Sequence, residues 1–115
     1  MVQQRADAPL VAAHPFFLLR REQIVALAAG HAIPAFCPLR GFTECGGLIS
    51  YGAAVGSLFQ QLGAYAARIL MGVKLADLPI EQNTKYDLVI NLKTAKALGL
   101  TVPPSLLAHA DKVIE

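Results

Sequence analysis

ADLPIEQNTKYDLVINLKTAKALGLTVPPSLLAHADKVIE, residues Ala76 to Glu115, sets chain-stopping residues in a fixed order around two short apolar runs. Pro79 opens an extended run, and the polar stretch from Gln82 to Lys85 turns it. Tyr86 to Ile90 reads as a strand. Asn91 offers the side-chain oxygen that a helix N-terminus needs, so a helix is expected over Leu92 to Leu98. Gly99 is placed to end that helix, and Pro103–Pro104 prevents its continuation.

The same punctuation continues upstream. Ala8 to Ala13 reads as a short apolar strand. Arg21 to Ala29 reads as a helix with Ile24, Val25, Leu27 and Ala28 on its buried side and Gly30 as its stop. Ile33 to Cys37 and Gly47 to Tyr51 read as strands, with at most one helical turn over Gly41 to Cys45. A long helix is expected over Ala53 to Met71, because Val55, Leu58, Phe59, Leu62, Tyr65, Ala66, Ile69 and Leu70 fall on one stripe of a 3.6-residue period. Strands and helices in this order, with strands apolar at nearly every position, predict an α/β fold with a mostly parallel sheet covered on both faces. Ligands of such sheets sit beyond the carboxyl ends of the strands. Those ends are His14 to Phe17, Pro38 to Glu44 and Tyr51 to Ala54.

Composition adds a demand for a partner. Of 115 residues, 55% are hydrophobic and 16% charged, against roughly 45–50% and 25% in ordinary soluble domains. One domain of this size is expected over 1–115, and the surplus apolar surface calls for a missing lobe or a second copy of the chain. A membrane span is not indicated, since the uncharged stretch from Cys45 to Ala67 is broken by glycines, serines and Gln60–Gln61. The opening MVQQRADAPLVAA lacks the apolar core and cleavage site of a signal peptide. A net charge of +2 is spread along the chain, which argues against nucleic-acid binding.

These segments together closely resemble the substrate-binding proteins of ABC transporters, in the tryptophan/tyrosine-type family with a periplasmic-binding-protein type I fold. The C-terminal stretch carries the resemblance, joined by HPFFLLRREQI (His14 to Ile24), IPAFCPLRGF (Ile33 to Phe42) and GGLISYG (Gly46 to Gly52), so it runs from about Ala6 onward. It implies a three-layer, partial Rossmann-like piece of the C-terminal lobe, without the N-terminal lobe. It also implies a solute-binding fragment of an uptake transporter that performs no catalysis, an ABC permease as partner, and a periplasmic location. Without an export signal, a stand-alone product would be cytoplasmic. The chain departs from its relatives where His14 replaces a frequent acid, Leu19 a frequent hydroxyl residue and Gly41 a frequent charge. These changes fall in loops that would face a ligand.

The polar candidates lie at the strand ends. Arg40 suits a carboxylate through bidentate hydrogen bonds and Glu44 suits an ammonium, unless the two simply pair with each other. Tyr51 sets a hydroxyl beside the start of the long helix, a plausible seat for an anion. Phe16 and Phe17 suit an aromatic or apolar solute, or pack under the following helix. His14 borders the same cleft in the family, or bonds locally. The ligand set is therefore His14, Phe16, Phe17, Arg40, Glu44 and Tyr51, and an amino-acid-like or other small polar organic solute matches it.

Cys37 and Cys45 are close enough in sequence for a disulfide or stand as two buried thiols. No spacing indicates zinc, a phosphate-binding loop or a GxSxG nucleophile, so no metal, cofactor or enzymatic role is expected. Two alternatives to solute binding remain: an oligomeric or structural remnant without a ligand, and a small α/β enzyme using Cys37 or His14.

Overall fold

Apolar runs cut short by glycine and proline give short elements. The computed structural model describes residues 5–115. In order they form α1 (Pro15–Leu19), α2 (Arg21–Gly30), β1 (Phe36–Cys37), α3 (Arg40–Glu44), β2 (Ile49–Ala53), α4 (Val55–Leu70), β3 (Tyr86–Asn91), α5 (Leu92–Ala97), α6 (Pro104–His109) and β4 (Lys112–Ile114).

The strands lie in the order β1-β2-β3-β4. β1 and β2 are parallel, with Cys37 opposite Ser50, and β3 and β4 are parallel, with Val89 opposite Lys112 and Asn91 opposite Ile114. The central pair runs the other way. Asn91, at the end of β3, donates its amide to the carbonyl of Leu48, just before β2, at 2.9 Å. β3 therefore descends as β2 ascends, and the register sets Gly52 opposite Asp87. The sheet is the expected mostly parallel α/β sheet with one antiparallel junction.

The C-terminal helix forms as its sequence predicts. Asn91 Oδ1 accepts the Thr94 amide at 3.1 Å. Gly99 adopts φ +70°, and the amides of Gly99 and Leu100 return to Lys96 and Ala95 at 3.1 and 2.8 Å. Gly46 and Gly72 close α3 and α4 in the same left-handed way, with φ +115° and +99°.

α2 is closed at a different residue than expected. Gly30 remains helical, and Ala32 takes the left-handed position with φ +53°. Its amide and that of Ile33 bond back to Ala29 and Ala28 at 3.1 and 2.9 Å. Leu27 is exposed, because it is two residues from Val25 and about 200° around the helix from it, whereas Ala28 returns to the buried side.

Two strands are shorter than expected. Ala8–Ala13 contributes only a parallel bridge from Leu10 to Phe36, since Pro9 has no amide for a ladder and Pro15 begins α1. In Ile33–Cys37, Pro34 and the turn at Ala32 leave only Phe36–Cys37 extended.

The chain divides into two compact units. One runs up to Gly52 and resumes at Asp87–Glu115, and the other is Ala53–Tyr86. In the first, Val25, Cys37 and Phe42 form a buried cluster joined by Val11, Phe17, Ile24 and Leu39. Asn91 Nδ2 donates to the Thr43 carbonyl at 3.0 Å and Thr94 Oγ1 to that of Gly46 at 2.9 Å, which ties α5 to the end of α3. In the second, the return run folds along α4 through Tyr65 Oη to the Pro79 carbonyl and Gln61 Nε2 to Glu81, both at 2.7 Å. No residue of Ala53–Tyr86 is fully buried. Among the described residues, no helix is long and apolar enough to cross a membrane.

Candidate functional site

The ends of β1 and β2 come together because position 52 has no side chain. A Cβ there would overlap the Pro38 carbonyl, so glycine lets the loop after β1 fold over the end of β2. That loop leads into α3 and carries Arg40 toward Asp87, the residue opposite Gly52. Arg40 Nη1 lies 3.8 Å from Asp87 Oδ2. Its Nε and Nη2 both meet Glu44 Oε1 at 3.0 Å, one helical turn on, and Lys112 Nζ lies 3.5 Å from the same oxygen. The hydrogen bond from Arg40 holds the Glu44 carboxyl below its ordinary value, helped by the charges of Arg40 and Lys112 and opposed by slight desolvation. All four side chains remain partly exposed, so each pair contributes at most about 1 kcal/mol.

The aromatic residues form a second group. His14 caps α1, its Nδ1 accepting the Phe16 amide at 3.1 Å. Its ring meets Phe17 edge-on at 6.1 Å, and Phe16 meets Phe17 at 5.7 Å. Phe17 packs on the Val25–Cys37–Phe42 cluster, while Phe16 is exposed with the Arg20 guanidinium 5.5 Å over its ring. The first turn of α3 rests against the α1–α2 junction, since a Cβ at Gly41 would lie 3.9 Å from Leu18 and 3.8 Å from Arg21. The aromatic and charged groups therefore border the same strand ends.

Tyr51 lies on β2 itself, one residue before Gly52. Alternation along β2 directs it to the face opposite that of Ser50 and of the Pro38 loop. The helix it was read beside, α4, begins at Val55 without a side-chain cap and belongs to the other unit. Asp87 was missed, because nothing in YDLVIN marks it until strand register places it across from Gly52.

Both cysteines are free. Cys37 is buried, where desolvation pushes its thiol up to about 11, and Cys45 is exposed. The expectations of a disulfide and of two buried thiols both give way to one inert core thiol and one accessible thiol.

A cavity of about 680 Å³ opens elsewhere in the same unit, between α2, the turn after α3, α5 and the end of β4. Among the sequence candidates only Glu44 lines it. Its inner polar groups, Asn91 and Thr94, are already bonded to the backbone. The strand ends remain the candidate site.

In solved structures, the chain is similar to a conserved domain protein from Vibrio cholerae at 26% identity and TM-score 0.87, spanning 97% of this chain and 38% of that one. It is similar to an ABC domain from Streptococcus pneumonia in complex with L-Trp at 28% identity and TM-score 0.89, spanning 98% and 38%. A ligand-free, open substrate binding protein with adhesive properties from Clostridium difficile shares the fold at 24% identity and TM-score 0.67, spanning 96% and 37%. The chain thus spans well under half the length of these structures. No significant match is found among curated proteins. The family model for ABC transporter substrate binding proteins matches residues 6–114, nearly the whole chain, and the chain belongs to that family.

Proposed function

We propose that this chain forms part of the binding lobe of a periplasmic or extracellular solute-binding protein that hands a small amino-acid-like solute to an ABC permease. The observation that carries this reading is the polar cluster at the strand ends, where the Arg40 guanidinium meets the Glu44 and Asp87 carboxylates, with the exposed Phe16 ring on α1, the helix whose Leu18 lies against the first turn of α3. A zwitterion with an aromatic or branched side chain matches that set: the outer edge of Arg40 takes its carboxylate, an acidic neighbour its ammonium, and Phe16 lines its apolar part. The similar ABC domain in complex with L-Trp supports this class. His14 and Phe17 shape the site by capping and supporting α1, Glu44 steadies Arg40, and Tyr51 borders the site from the other face of β2. The role is one of binding, without catalysis.

Half of a two-lobed cleft leaves much of a ligand in water, so affinity is expected no better than about millimolar. The chain is titrated with tryptophan, tyrosine, leucine and urea while backbone amide shifts are followed. Saturable shifts at His14–Phe17, Pro38–Glu44 and Tyr51–Ala54 with the amino acids and not with urea support the reading. A flat response to every solute overturns it.

The exposed stripe of α4 favours a second reading, a remnant that pairs with another copy and binds no solute. A native mass at tens of micromolar protein tests it: a dimer combined with a flat titration favours the remnant, and a strict monomer removes it.

A further inference from the structure

The Arg40 guanidinium is served unequally on its two sides. Glu44 takes Nε and Nη2 at 3.0 Å, whereas Nη1 meets Asp87 only at 3.8 Å, an ion pair without a hydrogen bond. Glu44 is matched twice over, since Lys112 reaches the same oxygen. Asp87 accepts no hydrogen bond among the described residues, and its side chain is 31% exposed. Its cross-strand neighbour, Gly52, has no side chain with which to cover it.

We propose that Asp87 is the residue that takes the ammonium group of a zwitterionic solute, beside a carboxylate held on the outer edge of Arg40. This rests on the amino-acid reading above and assigns to Asp87 the role that the sequence suggests for Glu44. An α-amino acid carries its opposite charges on groups joined through one carbon, so its partners must stand side by side. Arg40 Nη1 and Asp87 Oδ2 do so. A carboxylate with one loose cationic partner and open acceptor positions attracts an ammonium more than one already neutralised by two cations. Glu44 is then a positioning residue, fixing the inner edge of Arg40 and leaving the outer edge free.

Three probes separate these roles: L-tryptophan, indole-3-propionate, which lacks the ammonium, and tryptamine, which lacks the carboxylate. Each is titrated into the 115-residue chain and into Asp87→Asn and Glu44→Gln, with native amide dispersion checked first. Asp87→Asn is expected to weaken tryptophan and tryptamine at least tenfold and to leave indole-3-propionate unchanged. Glu44→Gln is expected to weaken tryptophan and indole-3-propionate by a common, smaller factor, because it acts through Arg40. Should Asp87→Asn weaken all three probes alike, or none, the assignment to Asp87 falls while the amino-acid reading stands. Should the unmodified chain bind none of them, the amino-acid reading falls and takes the assignment with it.

Discussion

In the unit that runs up to Gly52 and resumes at Asp87, Phe42, Val89 and Ile90 are sealed to 1% exposure, whereas in Ala53–Tyr86 the stripe residues Leu62 and Leu70 keep 52% and 88%. The contrast does not follow the strength of the sequence pattern. α4 has the clearest amphipathic period in the chain, yet none of its residues is buried. Phe42 sits in a five-residue helix too short to show a period, and it is sealed because β1 and α2 lie around it. An apolar stripe states what a helix needs, while burial also requires a second surface. The sheet supplies that surface to α3 and α5. Within Ala53–Tyr86 only the return run lies along α4, and it leaves the stripe largely exposed.

Five substitutions break or sharpen this contrast. Phe42→Ala should cost about 3–5 kcal/mol in urea denaturation, and Leu62→Ala well under about 1 kcal/mol. Equal losses would show that α4 is covered in solution. Next in size is Asn91→Ala, which removes a helix cap and one of the two hydrogen bonds to the buried Thr43 carbonyl, the Gly46 amide keeping the other at 3.1 Å, for about 1–3 kcal/mol together. A loss below about 0.5 kcal/mol would mean that α5 is not anchored to α3 in this way.

Ala32→Gly should stabilise the first unit by about 0.5–1 kcal/mol, because glycine accepts φ +53° without a Cβ penalty. Destabilisation would indicate that α2 ends elsewhere. The smallest effect concerns Glu44. Its folded-state pKa is lowered, so its stabilisation is present above about pH 4.5, the ordinary value, and is lost as pH falls through the lower folded value. Glu44→Gln should cost a few tenths of a kcal/mol at neutral pH and low salt, less and less as the solution is acidified below the ordinary value, and nothing in molar salt. A loss that persists in acid would point to packing instead of charge.

Much of the first unit was legible because its signals are local. Asn91 with Gly99, the single turn near Gly41–Cys45 and the apolar strands need only neighbouring residues to be read. Three features needed partners that sequence does not reveal. Ala32 ends α2 although Gly30 looked the better stop, because the returning amides of Ala32 and Ile33 select the site. The opposite direction of β3 depends on where Ala53–Tyr86 returns the chain. Asp87 became a candidate only through that register, and the same alternation set Tyr51 on the face of β2 opposite Ser50. The pairing of Arg40 with Glu44 was readable from its i, i+4 spacing. That it leaves one edge of Arg40 loosely held was not.

The opposition of Gly52 and Asp87 also bears on how the chain folds. Two residues that face each other across a ladder are the ends of a hairpin, and Ala53–Tyr86 occupies the place of its loop. Closing a flexible loop of that length costs about 3 kcal/mol in chain entropy, which must be met before β3 can pair with β2. On the ribosome, the first unit stays open until Asp87–Asn91 has emerged, and its apolar strands wait without their central partner. An Asn-Gly turn joining Gly52 directly to Asp87 would remove that delay. The shortened chain should refold faster than the whole one while keeping the Phe42 core.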